Sequence, residues 1–472
     1  MQDSSQGTAF ERVLDARLIA SIVATGIMSV SGVCVETAMN VTFPTLMREF
    51  SIDTATVQWM TTAYLLVLAA VVPTSGYLNR RFRTKRVFTF AMAFYIAGIV
   101  CGMTAQVFPM LLLGRVLEGI GTGVALPLMF NIITEQAPHK HLGLMMGIGS
   151  LVTALAPAVG PSVGGWLSET FGWRAIFAAL LPILVVAFCL GLASIRQSHP
   201  VSNDAFDLPG WACLAASFAS LVFAVDEGAN MGWTSPLIIA LFCAFAALLA
   251  LFVMRERRCD HPLIHLAIFS HRGYVLGLGT IVTLQFAILG LSFLLPNHAQ
   301  MVVGAGQTEA GSVLLWGCLL GALLAPVSGR LLDALGPRTP ILSGAVLALA
   351  ATIGFFIAAP SMGTLEASLI YVAFAGGQSL MYGNNMTCAL GFLPADIKAD
   401  GNAMFTTLQQ LAGAMGTSVC AAIVNAAQTG AGSADMAAAT ATGTREAFLL
   451  LAVMVACSLV CAAIETRGAK RR

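Results

Sequence analysis

The chain has 472 residues, of which 57% are hydrophobic and only 10% are charged, and its formal net charge is +1. A soluble domain usually carries about 25% charged residues, so lipid must cover much of this surface. The sequence contains no dense basic face with interleaved aromatic residues, so we expect no nucleic-acid partner. Eleven cysteines are scattered without a CxxC motif, and we interpret them as small buried residues, not as disulfides or a metal site.

Fourteen apolar segments are long enough to cross a bilayer, which takes about 20 residues of helix. In chain order, their centres lie near Thr25, Leu66, Ala97, Gly121, Thr153, Ile183, Ser217, Ala244, Thr283, Leu320, Ala348, Gly377, Gly413 and Met454. The first segment is too long for a signal peptide, so we expect an uncleaved first span. The pattern predicts an all-α polytopic membrane protein with fourteen transmembrane helices.

The basic residues predict the orientation of these helices. With a cytoplasmic N-terminus, twenty of the 24 lysines and arginines fall on the cytoplasmic side. Arg48, Arg174 and Arg445 fall outside, and Arg115 lies within a span. Because lysine and arginine concentrate on the cytoplasmic side of membrane proteins, we expect a multi-pass inner-membrane protein with both termini in the cytoplasm.

A short internal repeat indicates that the chain contains two related halves. The segment PTSGYL at 73–78 ends the second span, and PVSGRL at 326–331 ends the tenth. These positions are equivalent if two extra helices separate two sets of six. We therefore predict a six-helix bundle over 1–195, two extra helices with linkers over 196–272, and a second six-helix bundle over 273–472.

Three ionisable residues lie inside predicted spans, where each costs roughly 2.5–3.5 kcal/mol on insertion scales. Glu36, Arg115 and Glu118 lie roughly 10, 8 and 12 Å from the outer surface at 1.5 Å per residue. Arg115 and Glu118 are three residues apart, hence on one helix face. We expect a charge cluster, with Glu36 as the first candidate for an exchanged proton, Glu118 as the second and Arg115 as modulator. A purely structural Arg–Glu pair is the alternative.

Several motifs resemble those of the major facilitator superfamily. The loop after the second span is similar to the family's GxLaDrxGrk loop, with Arg80 where the family often has Asp, and its second copy fits more fully. The matching residues are Gly76, Leu78, Arg81 and Lys85 in the first copy and Gly329, Leu331, Asp333, Gly336 and Arg338 in the second. The RVLEG element at 115–119 resembles the family's RxxQG element.

Other motifs resemble the fourteen-span drug:proton antiporter branch of that family. The run APAVGPSVGG at 156–165 is similar to the GPxxGG motif of exporters, and ETAMN at 36–40 is similar to the branch's acidic element. Trp59, Tyr64 and the Trp173–Arg174 step also fit, and within the branch the chain is most similar to lincomycin-resistance exporters.

The resemblance implies the major facilitator fold and proton-driven export of lipophilic or amphiphilic compounds, without a cofactor, metal or required protein partner. It implies a cytoplasmic gate, an antiporter motif and a substrate cavity. The gate would consist of Gly76, Arg80, Arg81, Gly329, Asp333 and Arg338. The antiporter motif would consist of Pro157, Gly160, Pro161, Gly164 and Gly165. The candidates for the substrate cavity are Trp59, Tyr64, Gln378, Tyr382, Asn384, Asn385 and Gln409.

Alternatives from other classes are weighed against this interpretation. No GxxxxGK[ST] loop occurs, so ATP is not the direct energy source. An importer or narrow-specificity metabolite carrier on the same fold, a membrane-embedded transferase and a sensor stay open, although no catalytic constellation favours an enzyme. His261 and His265 have a zinc-like spacing, but we interpret their segment as a connector at the membrane surface. We expect no acidic residue deep in spans nine to fourteen.

Overall fold

The computed structural model describes residues 14–469 apart from 53, 199, 203–205, 260, 261, 263 and 432–435. The secondary structure in these ranges is helical, with fifteen α-helices and no β-strand. The helices are α1 Ala16–Phe50, α2 Thr54–Val71, α3 Ser75–Arg81, α4 Thr84–Thr104, α5 Phe108–Gln136, α6 Leu142–Phe171, α7 Arg174–Ser194, α8 Leu208–Met231, α9 Pro236–Glu256, α10 Arg272–His298, α11 Gln307–Leu335, α12 Arg338–Ala358, α13 Thr364–Gly391, α14 Lys398–Ala431 and α15 Met436–Ala469.

The predicted spans coincide with the long helices. Each of the fourteen predicted centres lies in a different one of the fourteen described helices that have 18 residues or more, and the seven-residue α3 continues α2 through a 3-10 turn at Val72–Thr74. Twelve segments of the described residues are long and apolar enough to cross a membrane, which confirms a multi-pass membrane protein. α6 and α13 are not among the twelve, so fourteen spans stay a prediction.

Local sequence determines where several helices begin and end. Asp15 caps α1 by accepting a hydrogen bond from the backbone N of Leu18 at 2.9 Å. That hydrogen bond, with the charge of Arg196 nearby, lowers the pKa of Asp15. α11 ends at Leu335 and is followed by Gly336, whose φ of 76° is a conformation that glycine adopts without strain.

The helices form two groups that differ in their packing partners. Helices α1 to α7, the N-terminal bundle, pack mainly on one another, and so do α10 to α15, the C-terminal bundle, while α6 and α11 pack extensively against each other across the two bundles. α8 and α9 pack mainly on each other, and α8 also contacts α2 and α14. The indole N of Trp211 on α8 donates to the carbonyl O of Ala70 on α2 at 2.9 Å, which attaches the extra pair to the N-terminal bundle. The predicted boundaries at 195 and 272 remain a proposal.

Successive long helices alternate in direction, so loops gather at two faces. We call the face at which α1 begins the N-terminal face. There Arg196 pairs with Asp15 at 2.8 Å, and Arg81 donates to the carbonyl O of Ser202 at 3.2 Å. These bonds hold the loop after α7 against both the start of α1 and the end of α3.

At the opposite face of the N-terminal bundle, Glu49 near the end of α1 joins α1 to the start of α7. Its carboxylate accepts from the indole N of Trp173 at 2.6 Å and from Arg174 at 2.7 Å. Partial burial alone would raise the pKa of Glu49, but these two hydrogen bonds outweigh burial and lower the pKa. The Trp173–Arg174 step thus ties α7 to the far end of α1.

Candidate functional site

A buried ion pair lies on α5, inside the N-terminal bundle. Arg115 and Glu118 form a salt bridge, and the two residues are 1% and 0% exposed. The Arg115 guanidinium lies 4.2 Å from the ring centroid of Tyr64 and donates from Nε to the carbonyl O of Met60 at 3.3 Å, so α2 holds it from the other side. Gly98 on α4 makes room for this pair, because a Cβ there would come within 2.7 Å of the Glu118 Cγ.

Glu36 on α1 is the third member of the predicted cluster. The Glu36 carboxyl is close enough to the Arg115 guanidinium and to the Tyr64 hydroxyl to interact electrostatically with both. Glu36 is partly exposed, and none of the described hydrogen bonds or ion pairs involves it. Arg115 is therefore bonded to Glu118 and not to Glu36, which leaves Glu36 as a carboxyl close to a cation but without a direct partner.

The glycine-rich part of α6 packs against α1 on either side of Glu36. A Cβ at Gly160 would collide with Thr37, and one at Gly164 would lie 2.8 Å from the Cα of Ala38. The glycines therefore permit backbone-to-backbone approach of α6 and α1. Gly165 is partly exposed. The side chains of Pro157 and Pro161, which belong to the same predicted motif, lie outside the described part of the chain.

The two bundles meet at the N-terminal face through the predicted gate. Arg80, at the end of α3, forms a salt bridge with Asp400 of α14, whose side chain is 0% exposed. Asp400 also accepts from the backbone N of His265 at 2.9 Å and lies 2.6 Å from the His265 Nδ1. Gly76 packs directly on Asp400, where a side chain would collide with the carboxylate.

The second copy of the gate sequence makes the reciprocal contact. Asp333, at the position that matches Arg80 in the repeat, accepts from the backbone N of Gly143 at 3.0 Å and of Leu144 at 3.2 Å, at the start of α6. Gly329 packs on the backbone of Gly143. Helix N-termini favour negative charge. Asp333 can therefore bind the start of α6 directly, whereas Arg80 binds the start of α14 through an acidic residue.

Other gate candidates do not join the bundles. Arg81 bonds the loop after α7, and Arg338 is exposed and forms no described ion pair with Asp333. A contact that the sequence did not indicate is the amide of Asn402, which donates to the Asn131 Oδ1 at 2.6 Å. Every described hydrogen bond or ion pair between the two bundles lies in the half nearer the N-terminal face, so the bundles are closed against each other there.

The predicted cavity residues do not converge on one space. On α2, Trp59 is exposed and lies 5.5 Å from the ring of Phe223, whereas Tyr64 belongs to the Arg115 cluster. On α13, Gln378 is partly exposed. Asn384 forms a hydrogen bond with Ser328, and Asn385 donates one to the carbonyl O of Gly277. The Tyr382 hydroxyl accepts a hydrogen bond from Gln409 of α14. A small apolar cavity between α2, α8 and α14 is lined by Leu65, Leu68, Val72, Val222, Thr407, Gln410, Leu411 and Ala414.

One acidic residue near the end of the last helix is buried, although the sequence did not single it out. Glu465 lies on α15 inside a candidate span and is only 1% exposed. The sequence did not indicate this burial because Glu465 is followed by Arg467 and the basic end of the chain, a pattern that in sequence alone indicates a solvated helix end.

Comparison with known proteins follows this geometry. The sequence profile described as Major Facilitator Superfamily matches residues 25–417. "Lincomycin resistance protein LmrB" of Listeria monocytogenes is 34% identical over 465 residues, covering 97% of this chain and 98% of the relative. The protein of the same name in Bacillus subtilis is 33% identical, and the match covers 84% of this chain and 83% of the relative. A "Multidrug resistance protein B homolog" of Mycobacterium tuberculosis is 29% identical, and the match covers 84% of this chain and 76% of the relative.

Two solved structures share the fold at low sequence identity. The human organic anion transporter MFSD10 (TETRAN) has a TM-score of 0.65 at 15% identity, covering 93% of this chain and 99% of that one. The proton:xylose symporter XylE has a TM-score of 0.67 at 14% identity, covering 94% and 95%. At these identities, the likeness shows the fold alone.

Proposed function

The chain belongs to the major facilitator superfamily, and we propose that it is a proton-coupled antiporter that exports lipophilic drugs or other small amphiphilic compounds from the cytoplasm. The relatives named for lincomycin and multidrug resistance support drug export. The observation that carries proton coupling is the buried Arg115–Glu118 pair with Glu36 beside it, because acidic residues inside membrane spans mark proton pathways.

The proposed topology has fourteen spans and both termini in the cytoplasm, so the N-terminal face is cytoplasmic. Closure of the two bundles at that face then makes this conformation one that exposes the central region toward the outside. The bundles would be 1–195 and 273–472, and the insertion 196–272. Transport would proceed by rocking of the two bundles about the central region.

Glu36 would carry the exchanged proton. Since Arg115 is bonded to Glu118, it acts on Glu36 only through space, and Glu36 is partly exposed to accept a proton. If rocking moves α1 against α5, the distance between Glu36 and the guanidinium changes, and the proton affinity of Glu36 changes with it. The close packing of α6 on α1 at Gly160 and Gly164 would transmit the movement of α6 to Glu36.

The gate would be the pair of contacts at the N-terminal face, with Arg80 on Asp400 and Asp333 on the start of α6. Gly76 and Gly329 would support them by letting the partner backbone approach. Substrate contacts would come from residues between the bundles, with Tyr382 and Gln409, which bond each other across α13 and α14, as first candidates.

The test is proton release from everted membrane vesicles with an acidic interior on addition of lincomycin and a panel of lipophilic drugs. We expect drug-dependent proton release from vesicles that contain the wild type and none with Glu36→Gln. Glu169→Gln is the matched control, since Glu169 is an exposed acid of the same bundle, and it should behave as wild type.

Two results would contradict the proposal. Full drug-dependent release by Glu36→Gln would remove Glu36 as the proton carrier. No response to any drug from folded protein would favour a narrow-specificity metabolite carrier, and energised uptake in vesicles of each orientation would then give the direction of transport.

A further inference from the structure

Glu465 is a buried carboxyl that the proposed mechanism does not use. It lies in the C-terminal bundle, four residues before the end of α15 and hence close to the N-terminal face. It is 1% exposed, and neither of its carboxylate oxygens has a hydrogen-bond partner. An ionised carboxylate without a donor or cation is strongly disfavoured in such a place, so the neutral, protonated form is the one that this packing accommodates.

The surroundings of Glu465 leave room for the carboxyl but offer it no charge. A Cβ at Gly277 of α10 would lie 2.8 Å from the Glu465 Oε1, so the glycine creates the space. The Cys388 thiol of α13 lies beside the carboxyl without meeting hydrogen-bond geometry, and the Cys461 thiol is one turn earlier on α15. Glu465 forms no described ion pair.

Several other titratable and charged groups of the neighbouring helices bond elsewhere or are exposed. On α10, the Tyr274 hydroxyl donates to the carbonyl O of Gly401 at 2.7 Å, and Arg272 is exposed. On α14, Asp400 is held by Arg80 and His265, as described above. Arg338 of α12 and Arg467 of α15 are exposed.

A cavity at the N-terminal face shares one residue, Cys388, with the surroundings of this carboxyl. Its volume is about 350 Å³, and it is open to the surface. Its lining comes from both bundles: Lys140, Leu142, Gly143, Leu332, Asp333, Pro337, Thr387 and Cys388. Cys388 therefore borders the cavity and also lies beside the Glu465 carboxyl. The contact of Asp333 with Gly143, which closes the face, is part of the same wall.

We propose that Glu465 is a second proton-binding site of this protein, which holds a proton while the N-terminal face is closed. As the bundles separate at that face, the cavity widens past Cys388, water reaches the carboxyl, and the O–H bond breaks with transfer of the proton to that water. This inference concerns a different bundle from Glu36, and it depends on the proposed function only in that the two bundles move apart at this face.

The test is infrared difference spectroscopy of the purified full-length protein in lipid bilayers during a stepwise rise in pH. We expect a carbonyl band of a protonated carboxyl that is lost as the pH rises and that is absent from Glu465→Gln, a neutral substitution of the same shape. Glu446→Gln is the matched control, because Glu446 is an exposed acid on the same helix, and its spectrum should keep the band. Identical spectra for the wild type and Glu465→Gln would overturn the proposal.

Two further variants test the route while Glu465 stays in place. Hydrogen–deuterium exchange of the band should be faster in Asp333→Asn, which weakens closure of the face, and slower in Cys388→Val, which puts an apolar group between cavity and carboxyl. Unchanged exchange in both variants would refute the route through Cys388. Since these spectra need no substrate, a failure of drug-dependent proton release would count against the antiporter function and leave the Glu465 result unaffected.

Discussion

Removal of the Arg80 charge should open the N-terminal face. Its partner Asp400 has a side chain that is 0% exposed, and the Arg80 side chain is 14% exposed. Removing one partner of a buried ion pair costs about 3–5 kcal/mol, and we take about 3 because water reaches Arg80. This cost falls on the closed state, since separation of the bundles lets water solvate Asp400. Because each step of about 1.4 kcal/mol changes an equilibrium constant tenfold, Arg80→Gln should reduce the ratio of closed to open protein roughly 100-fold.

The measurement is the distance between two spin labels by pulsed electron paramagnetic resonance, in protein whose eleven cysteines have been replaced. One label at Lys85, at the start of α4, and one at Arg338, at the start of α12, sit on exposed positions of the two bundles at this face. The shorter distance should dominate in the parent protein, and the longer one should dominate in Arg80→Gln.

Two controls separate the ion pair from a general effect of charge. Arg81→Gln removes the neighbouring guanidinium, which bonds the loop after α7 and lies over the ring of Phe82, and it should leave the distance distribution unchanged. The double exchange Arg80→Asp with Asp400→Arg should restore part of the closed population. An Arg80→Gln distribution that matches the parent would refute the assignment of this pair as the contact that keeps the face closed.

Two further predictions concern the stability of the N-terminal bundle. Gly164→Ala forces a Cβ to within 2.8 Å of the Ala38 Cα and should lower the free energy of unfolding by about 1–3 kcal/mol. The measurement is the melting temperature in detergent, which should fall. Gly311→Ala is the control, because its Cβ would meet no atom within 4 Å and should leave the melting temperature unchanged. Because bonds to Arg174 and Trp173 lower the pKa of Glu49, the ionised carboxylate should stabilise the fold above about pH 4.5. This stabilisation should be lost as the pH falls through the lowered pKa. Melting temperatures of the wild type and of Glu49→Gln across this pH range test the prediction, since the variant should lack the acid-dependent loss.

The helices could be predicted from the sequence because a span is a local property. Twenty apolar residues in a row need no knowledge of their neighbours, and each predicted centre lies in its own long helix. The Arg115–Glu118 pair was predictable for the same reason, since a separation of three residues places both side chains on one helix face. The position of Glu36 near that pair followed only from equal depth in the membrane.

The contacts between the bundles could not be predicted, because they join residues far apart in the chain. Arg80 and Asp400 are separated by 320 positions, and the charge of Arg80, unusual for this motif, makes sense only once its acidic partner is known. Glu465 was missed for a related reason. Its apolar pocket is formed by α10, α13 and α15 together, whereas its own sequence neighbours are those of a helix end.

The connector between α9 and α10 has a consequence for how two extra helices can be accommodated in this fold. It comprises residues 257–271, and it contacts the closed face through His265 on Asp400 and through the carbonyl O of Pro262 on Arg80. Fifteen residues can extend to about 50 Å, far more than rocking bundles need. In the proposed rocking motion the helix pair can therefore stay attached to α2 by Trp211, while the packing of α8 on α14 and the bonds of His265 to Asp400 are released. If the bundles rock as proposed, insertion of the pair leaves the range of motion intact and adds its connector to the contacts that must be released.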